Sequence, residues 1–107
     1  MAACFPQSQP AVAAISTTSA QVVGNSNSNA SIYVMAAVVT LTVAGTATFT
    51  AGSGGATLLE VATGADGTVV LPYNPDGWFR VPAGTALNVI GTGTSQAGSA
   101  LVDFVIR

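Results

Sequence analysis

The chain has 107 residues, of which only 6% are charged; histidine is absent and the formal net charge is −2. That length carries one domain, because two cores of half the size would each bury too little surface to hold themselves together. Arg80 and Arg107 are its only cations, so no basic cluster exists to neutralise a run of phosphates or to hold an anionic membrane surface, which argues against both nucleic-acid and membrane binding.

In chain order, residues 1–20 contain Pro6, Pro10, Gln7, Gln9 and a Ser16-Thr17-Thr18-Ser19 run with no sustained period, which predicts an extended N-terminal arm. Asn25-Ser26-Asn27-Ser28-Asn29 is the clearest loop, since Asn and Ser side chains bond their own backbone in competition with ladder hydrogen bonds. Strand pairing is expected to begin after it, within a single domain over residues 21–107. From there, stretches rich in Val, Ile, Thr and Phe are broken by glycine turns at intervals of roughly eight to twelve residues, the signal of an all-β sandwich or barrel.

Residues 32–43 read as a long strand or a bent strand pair, and Ala44-Gly45 turns the chain. Residues 46–51 put Ala47, Phe49 and Ala51 on one face, with Phe49 in the core. Gly52-Ser53-Gly54-Gly55 makes the next turn, and residues 57–62 form a short strand. Asp66-Gly67 is a favoured hairpin dipeptide, so residues 68–71 are expected to pair back. Residues 85–90 place Leu87 and Val89 on one face, and Gly91-Thr92-Gly93-Thr94-Ser95 is a flexible connection. In the last strand, residues 100–106, Ala100, Val102, Phe104 and Ile106 share one face, and Leu101, Asp103 and Val105 the other. A slip of one residue there buries Asp103 and exposes Phe104, so the register is well specified.

Pro72-Tyr73-Asn74-Pro75-Asp76-Gly77-Trp78-Phe79 is the densest cluster of aromatics and turn formers. Pro75 presets a turn, Gly77 can take a positive φ, and Trp78 and Phe79 point to opposite faces where strand geometry resumes. An outward aromatic beside a turn has three readings: a plug at one end of the sandwich, an anchor at a subunit interface, or a sugar-stacking platform. Phe5, Tyr73, Trp78 and Phe79 are the candidate interface residues. This run, followed by Ala83-Gly84-Thr85-Ala86-Leu87-Asn88-Val89, resembles a C-terminal signature of short tailed-phage virion proteins: a proline-aromatic-asparagine-proline-x-glycine-tryptophan-phenylalanine turn, a glycine-x-alanine-leucine-asparagine strand, then a terminal apolar strand. The resemblance spans residues 32–107; the N-terminal third departs from it. It implies a minor or decorating, cement-like virion component on a single antiparallel, jelly-roll-like β-sandwich.

Catalytic chemistry is hard to build from these residues. Without histidine or lysine there is no base to activate a serine or cysteine, and Cys4 has no cation nearby to lower its pKa. Glu60, Asp66, Asp76 and Asp103 read as turn or solvated strand positions, so no catalytic residue, cofactor or metal is expected. A surface of Thr, Ser, Asn, Gly and Ala supplies little of the repulsion that keeps small monomers apart, which predicts that neighbours cover much of it. With no positive n-region at the N-terminus, synthesis in the host cytoplasm is expected. The expectation is therefore a non-enzymatic homotrimer on the capsid surface of a virion, bound to the major capsid protein. The alternative is a tail or fibre module that binds carbohydrate on the host surface.

Overall fold

The computed structural model describes residues 9–25 and 27–107, and among them every regular element is a strand. The strands are β1 (Gln9–Ile15), β2 (Ala20–Val23), β3 (Ile32–Leu41), β4 (Gly45–Ala51), β5 (Thr57–Thr63), β6 (Gly67–Leu71), β7 (Phe79–Val81), β8 (Leu87–Gly91) and β9 (Gly98–Ile106). Their antiparallel pairings nest: β4 with β5, β3 with β6, β2 with β8 and β1 with β9. The chain is thus one long ribbon folded back on itself and then rolled, and the roll is sealed where β3 also meets β9 and β4 meets β8. Two sheets result, with orders β1-β9-β3-β6 and β2-β8-β4-β5. Two sheets of four strands connected in this order form a jelly-roll sandwich. The short β7 is an addition: it pairs Phe79–Val81 with Ile32–Val34, filling the part of the β3 edge that β6 leaves free.

Alternation decides which side chains enter. From the first sheet Ile32, Val34, Val39, Leu41, Val81 and Val102 are fully buried; from the second, Ala47, Phe49, Leu87 and Val89 face them. Phe49 is the largest wholly buried side chain, and Phe79 leans on it with ring centroids 5.5 Å apart. Ala13, Ala37 and Ala100 complete the inner layer. Each buried alanine removes far less area from water than the ~1.5–3 kcal/mol side chains around it, so the core is thin and depends on its few large members.

One end of the roll is clasped by Gln96, which is buried. Its Nε2 donates to Val43 O (2.7 Å) and Thr92 O (2.8 Å), while its Oε1 accepts from Val43 N (3.2 Å) and Ala97 N (3.1 Å). Close approach is possible because residue 45 is glycine: a Cβ there would stand 2.1 Å from Thr92 O. At the other end Asn25, Asn27 and Asn29 behave as their composition predicts. Asn25 Oδ1 accepts from Asn27 N and Asn27 Oδ1 from Asn29 N, and Asn25 Nδ2 reaches Ala30 O.

Several expectations need correction. The arm predicted over residues 1–20 is, from Gln9 to Ile15, an edge strand of the first sheet paired with β9, and Ile15 is in the core. Pairing therefore begins before the asparagine loop, not after it. The misleading signal was composition: alanine and proline favour strands weakly, and the ladder with β9 overrides that preference. Residues 1–8 of that arm lie outside the described residues. Asp66-Gly67 does not close a hairpin either. Asp66 takes a positive φ of 54° in a turn that carries the chain from β5 in one sheet to β6 in the other, where β6 pairs with β3. Finally, Ile106 is partly exposed at the margin of the sheet, whereas Val105, assigned to the outer face, is buried. The cause lies across the ladder. Met35 is an extra residue in β3, between the Val34–Phe104 and Ala36–Asp103 pairs, and at this end the outer face is covered rather than open.

Candidate interaction surface

The cover is the 72–78 loop, which continues from the end of β6, passes the Met35 bulge of β3 and returns to the β3 edge as β7. Asn74 N donates to Met35 O (2.8 Å) and Trp78 N to Val34 O (2.7 Å), so the loop hangs from the carbonyls that the bulge presents. Its own turn is tight: Gly77 N donates to Asn74 O at 2.9 Å, and Asn74 Oδ1 accepts from Asp76 N at 3.0 Å. Gly77 has φ +84°, a region costly for residues with a Cβ, and it lies over Tyr33 and Met35. Gly77→Ala is expected to cost about 1–2 kcal/mol, since it adds left-handed backbone strain. A thermal melt measures it. Trp78, the chain's single tryptophan, should report the loosened loop as a red shift in emission.

The aromatics of this segment separate. Phe79 turns inward onto Phe49 and packs, partly buried, against the core. Trp78 is 40% exposed but its indole is committed: Nε1 donates to Pro72 O at 2.7 Å, stapling the two ends of the loop together. Tyr73 is 62% exposed. Phe5 lies outside the described residues. Nearby, the Arg107 guanidinium stacks 4.5 Å from the ring centroid of Tyr33, and Arg80 pairs with Tyr33 in the β3–β7 ladder. Both cations of the chain are therefore at this one end.

Beyond the loop the outer face of the first sheet is open, and the register fixes what it displays. Val12 is opposite Leu101, Leu101 opposite Val38, and Val38 opposite Val70, so four apolar side chains form a row across β1, β9, β3 and β6. Val12, Val70 and Leu101 are 67%, 60% and 41% exposed. On one side of the row lie Ala14, Ser99, Thr40 and Thr68; on the other lie Pro10, Asp103 and Ala36. Between the row and Tyr73 the surface sinks into a shallow hollow of about 190 Å³, lined by Ala36, Val38, Val70, Pro72, Leu101 and Asp103 among others. Asp103 is the only charged group within these three rows.

The aromatic-rich motif borders this face through Pro72 and Tyr73, but the row itself is not legible in the sequence. Alternation gave Leu101 and Asp103 their outward direction. That Val12, Leu101, Val38 and Val70 line up depends on cross-sheet register between segments distant in sequence, and no local pattern encodes it.

No protein-family model matches the chain. No curated protein matches it either. A solved structure described as "Crystal structure of PirA" aligns over 96% of this chain and 96% of its own at 12% identity, with a TM-score of 0.35, which is too low to carry an argument.

Proposed function

We propose that this chain is a non-enzymatic virion subunit that decorates and stabilises the outside of a phage shell as an oligomer, making contacts with itself and with the major capsid protein. The observation that carries the reading is the apolar row on an open sheet face, in a chain with 6% charged residues. Soluble monomers tolerate scattered exposed apolar side chains, but a continuous row with almost no charge around it favours association. The resemblance of the 72–79 turn to tailed-phage proteins supplies the setting. Jelly rolls serve viral capsids, among other uses, and this analogy supports the reading.

Attachment by burial differs from attachment by charge in its response to salt. In molar salt the screening length falls to roughly 3 Å, which abolishes surface ion pairing and leaves apolar contacts intact. Particles washed in molar salt are expected to retain most copies, and particles made without the chain are expected to open at lower temperature, with purified protein restoring them. Unchanged heat stability without the chain, or release of most copies by salt alone, contradicts the reading.

A second reading has one observation in its favour. Tyr73 is exposed at the rim of a hollow that also holds Asp103, an arrangement that can stack a sugar ring and accept from its hydroxyls. On that reading the chain is a carbohydrate-binding tail or fibre module, and Tyr73→Ala abolishes retention on a glycan array without changing the oligomer.

A further inference from the structure

We infer that the outer face of the β1-β9-β3-β6 sheet is a two-fold interface with a second copy of this chain. The inference rests on the proposed reading that the chain self-associates, and it names the surface and the symmetry.

The geometry selects the axis. Two copies stacked face to face can be related by a two-fold axis running between them along the Val12–Leu101–Val38–Val70 row. That rotation keeps each residue's place along the row and reverses the strand direction. Every row residue then meets its own counterpart, forming an unbroken apolar seam. The flanking rows exchange: Asp103 comes over the second copy's Ser99, next to its Thr40, and Ser99 comes over the second copy's Asp103. Hydroxyl donors thus meet the one carboxylate of the face, twice per pair. The other in-plane axis, along the strands, sets Asp103 over Ala36, leaving a carboxylate desolvated with no donor, which costs several kcal/mol. Twist turns aligned sheets by about 30° relative to each other, so the seam is tightest at its centre, at Leu101 and Val38.

The face suits a second copy better than a partner of different chemistry. It offers no cation to an acidic partner and one carboxylate to a basic one, and its donors and acceptor are complementary to themselves. Four strands spaced by about 4.8 Å, with seven residues of about 3.3 Å each, cover roughly 450 Å² of plane. That is within about a factor of two of the ~800 Å² per partner typical of stable interfaces, before side-chain relief and Tyr73 at the margin are counted.

The test is the mass in solution of the whole chain by light scattering, for the wild type, for Leu101→Arg, for Leu101→Glu, and for a mixture of the two variants. Because Leu101 is already partly exposed, both variants keep the fold, and circular dichroism checks this. The wild type is expected to be a dimer or an even multiple. Each variant alone is expected to weaken pairing by at least about a hundredfold, since like charges abut at the seam. The mixture is expected to recover the dimer, because position 101 opposes itself. A wild-type oligomer whose mass neither variant changes, or an odd-numbered oligomer, overturns this inference and leaves the proposed function standing. A wild type that stays monomeric at all concentrations overturns this inference together with the self-association in the proposed reading.

Discussion

Phe49→Ala is expected to lower the unfolding free energy by about 3–5 kcal/mol, which corresponds to a fall in melting temperature of roughly 12 to 30 °C for a domain of this size. Phe49 is the largest side chain with no exposure, and it sits where β4 faces the other sheet, against Phe79. Its neighbours are held in the ladders, with Val89 and Leu59 directly opposite, so they relax only partly into the space and the cost of the cavity is added to the lost transfer energy. Phe79→Ala removes the other half of the ring pair at a partly exposed position and should cost less. The double variant should recover about 0.5–1.5 kcal/mol relative to the sum of the singles. Because association can raise apparent stability, all melts are compared at one protein concentration. A loss below about 1 kcal/mol for Phe49→Ala would mean that the core is not organised around this ring.

Gln96→Leu should cost about 2–4 kcal/mol, although leucine is apolar and similar in size. The wild-type amide satisfies Val43 N, Val43 O, Thr92 O and Ala97 N from one buried position, and leucine leaves those backbone groups without partners. Gln96→Glu separates hydrogen bonding from volume. Its carboxylate still accepts from Val43 N and Ala97 N but faces Val43 O and Thr92 O with no proton to offer, so its folded-state pKa is pushed above the ordinary glutamate value. A group whose pKa is raised by folding contributes its stability below the unfolded pKa, near ~4.3, and loses it as pH rises through the folded value. Relative to wild type at each pH, Gln96→Glu is therefore expected to be close to neutral in acid and destabilising at neutral pH. Urea melts at several pH values measure the difference. A deficit independent of pH would show that the clasp works by filling space.

The sequence was most informative where one local rule suffices. Alternation located the strands around Phe49, Leu87, Val89 and Val102 and sent Leu101 outward; asparagine chemistry identified the 25–29 loop; adjacent aromatics after Gly77 divided into an inward Phe79 and a capped Trp78. It was silent where the roll decides. The choice of β3 rather than β5 as the partner of β6 reflects closure of the ribbon across both sheets, and Asp66-Gly67 serves either connection. Gln96 joins loops some fifty residues apart, and a lone glutamine among glycine, serine and threonine signals nothing. Residues 9–15 look like a tail because their apolar members are mostly alanine, yet the β9 ladder makes them a strand. Cutting the chain at residue 20 would consequently strip an edge strand and Ile15 from the core, so a truncation of that size tests folding rather than attachment.

The most direct test of the central claim, that this domain is a subunit which associates through apolar surface, is the solution mass of the purified full chain as a function of concentration, in low and in molar salt. A defined oligomer whose mass is unchanged by salt is the expected result. A monomer at every concentration, or an oligomer that salt dissolves, would contradict it.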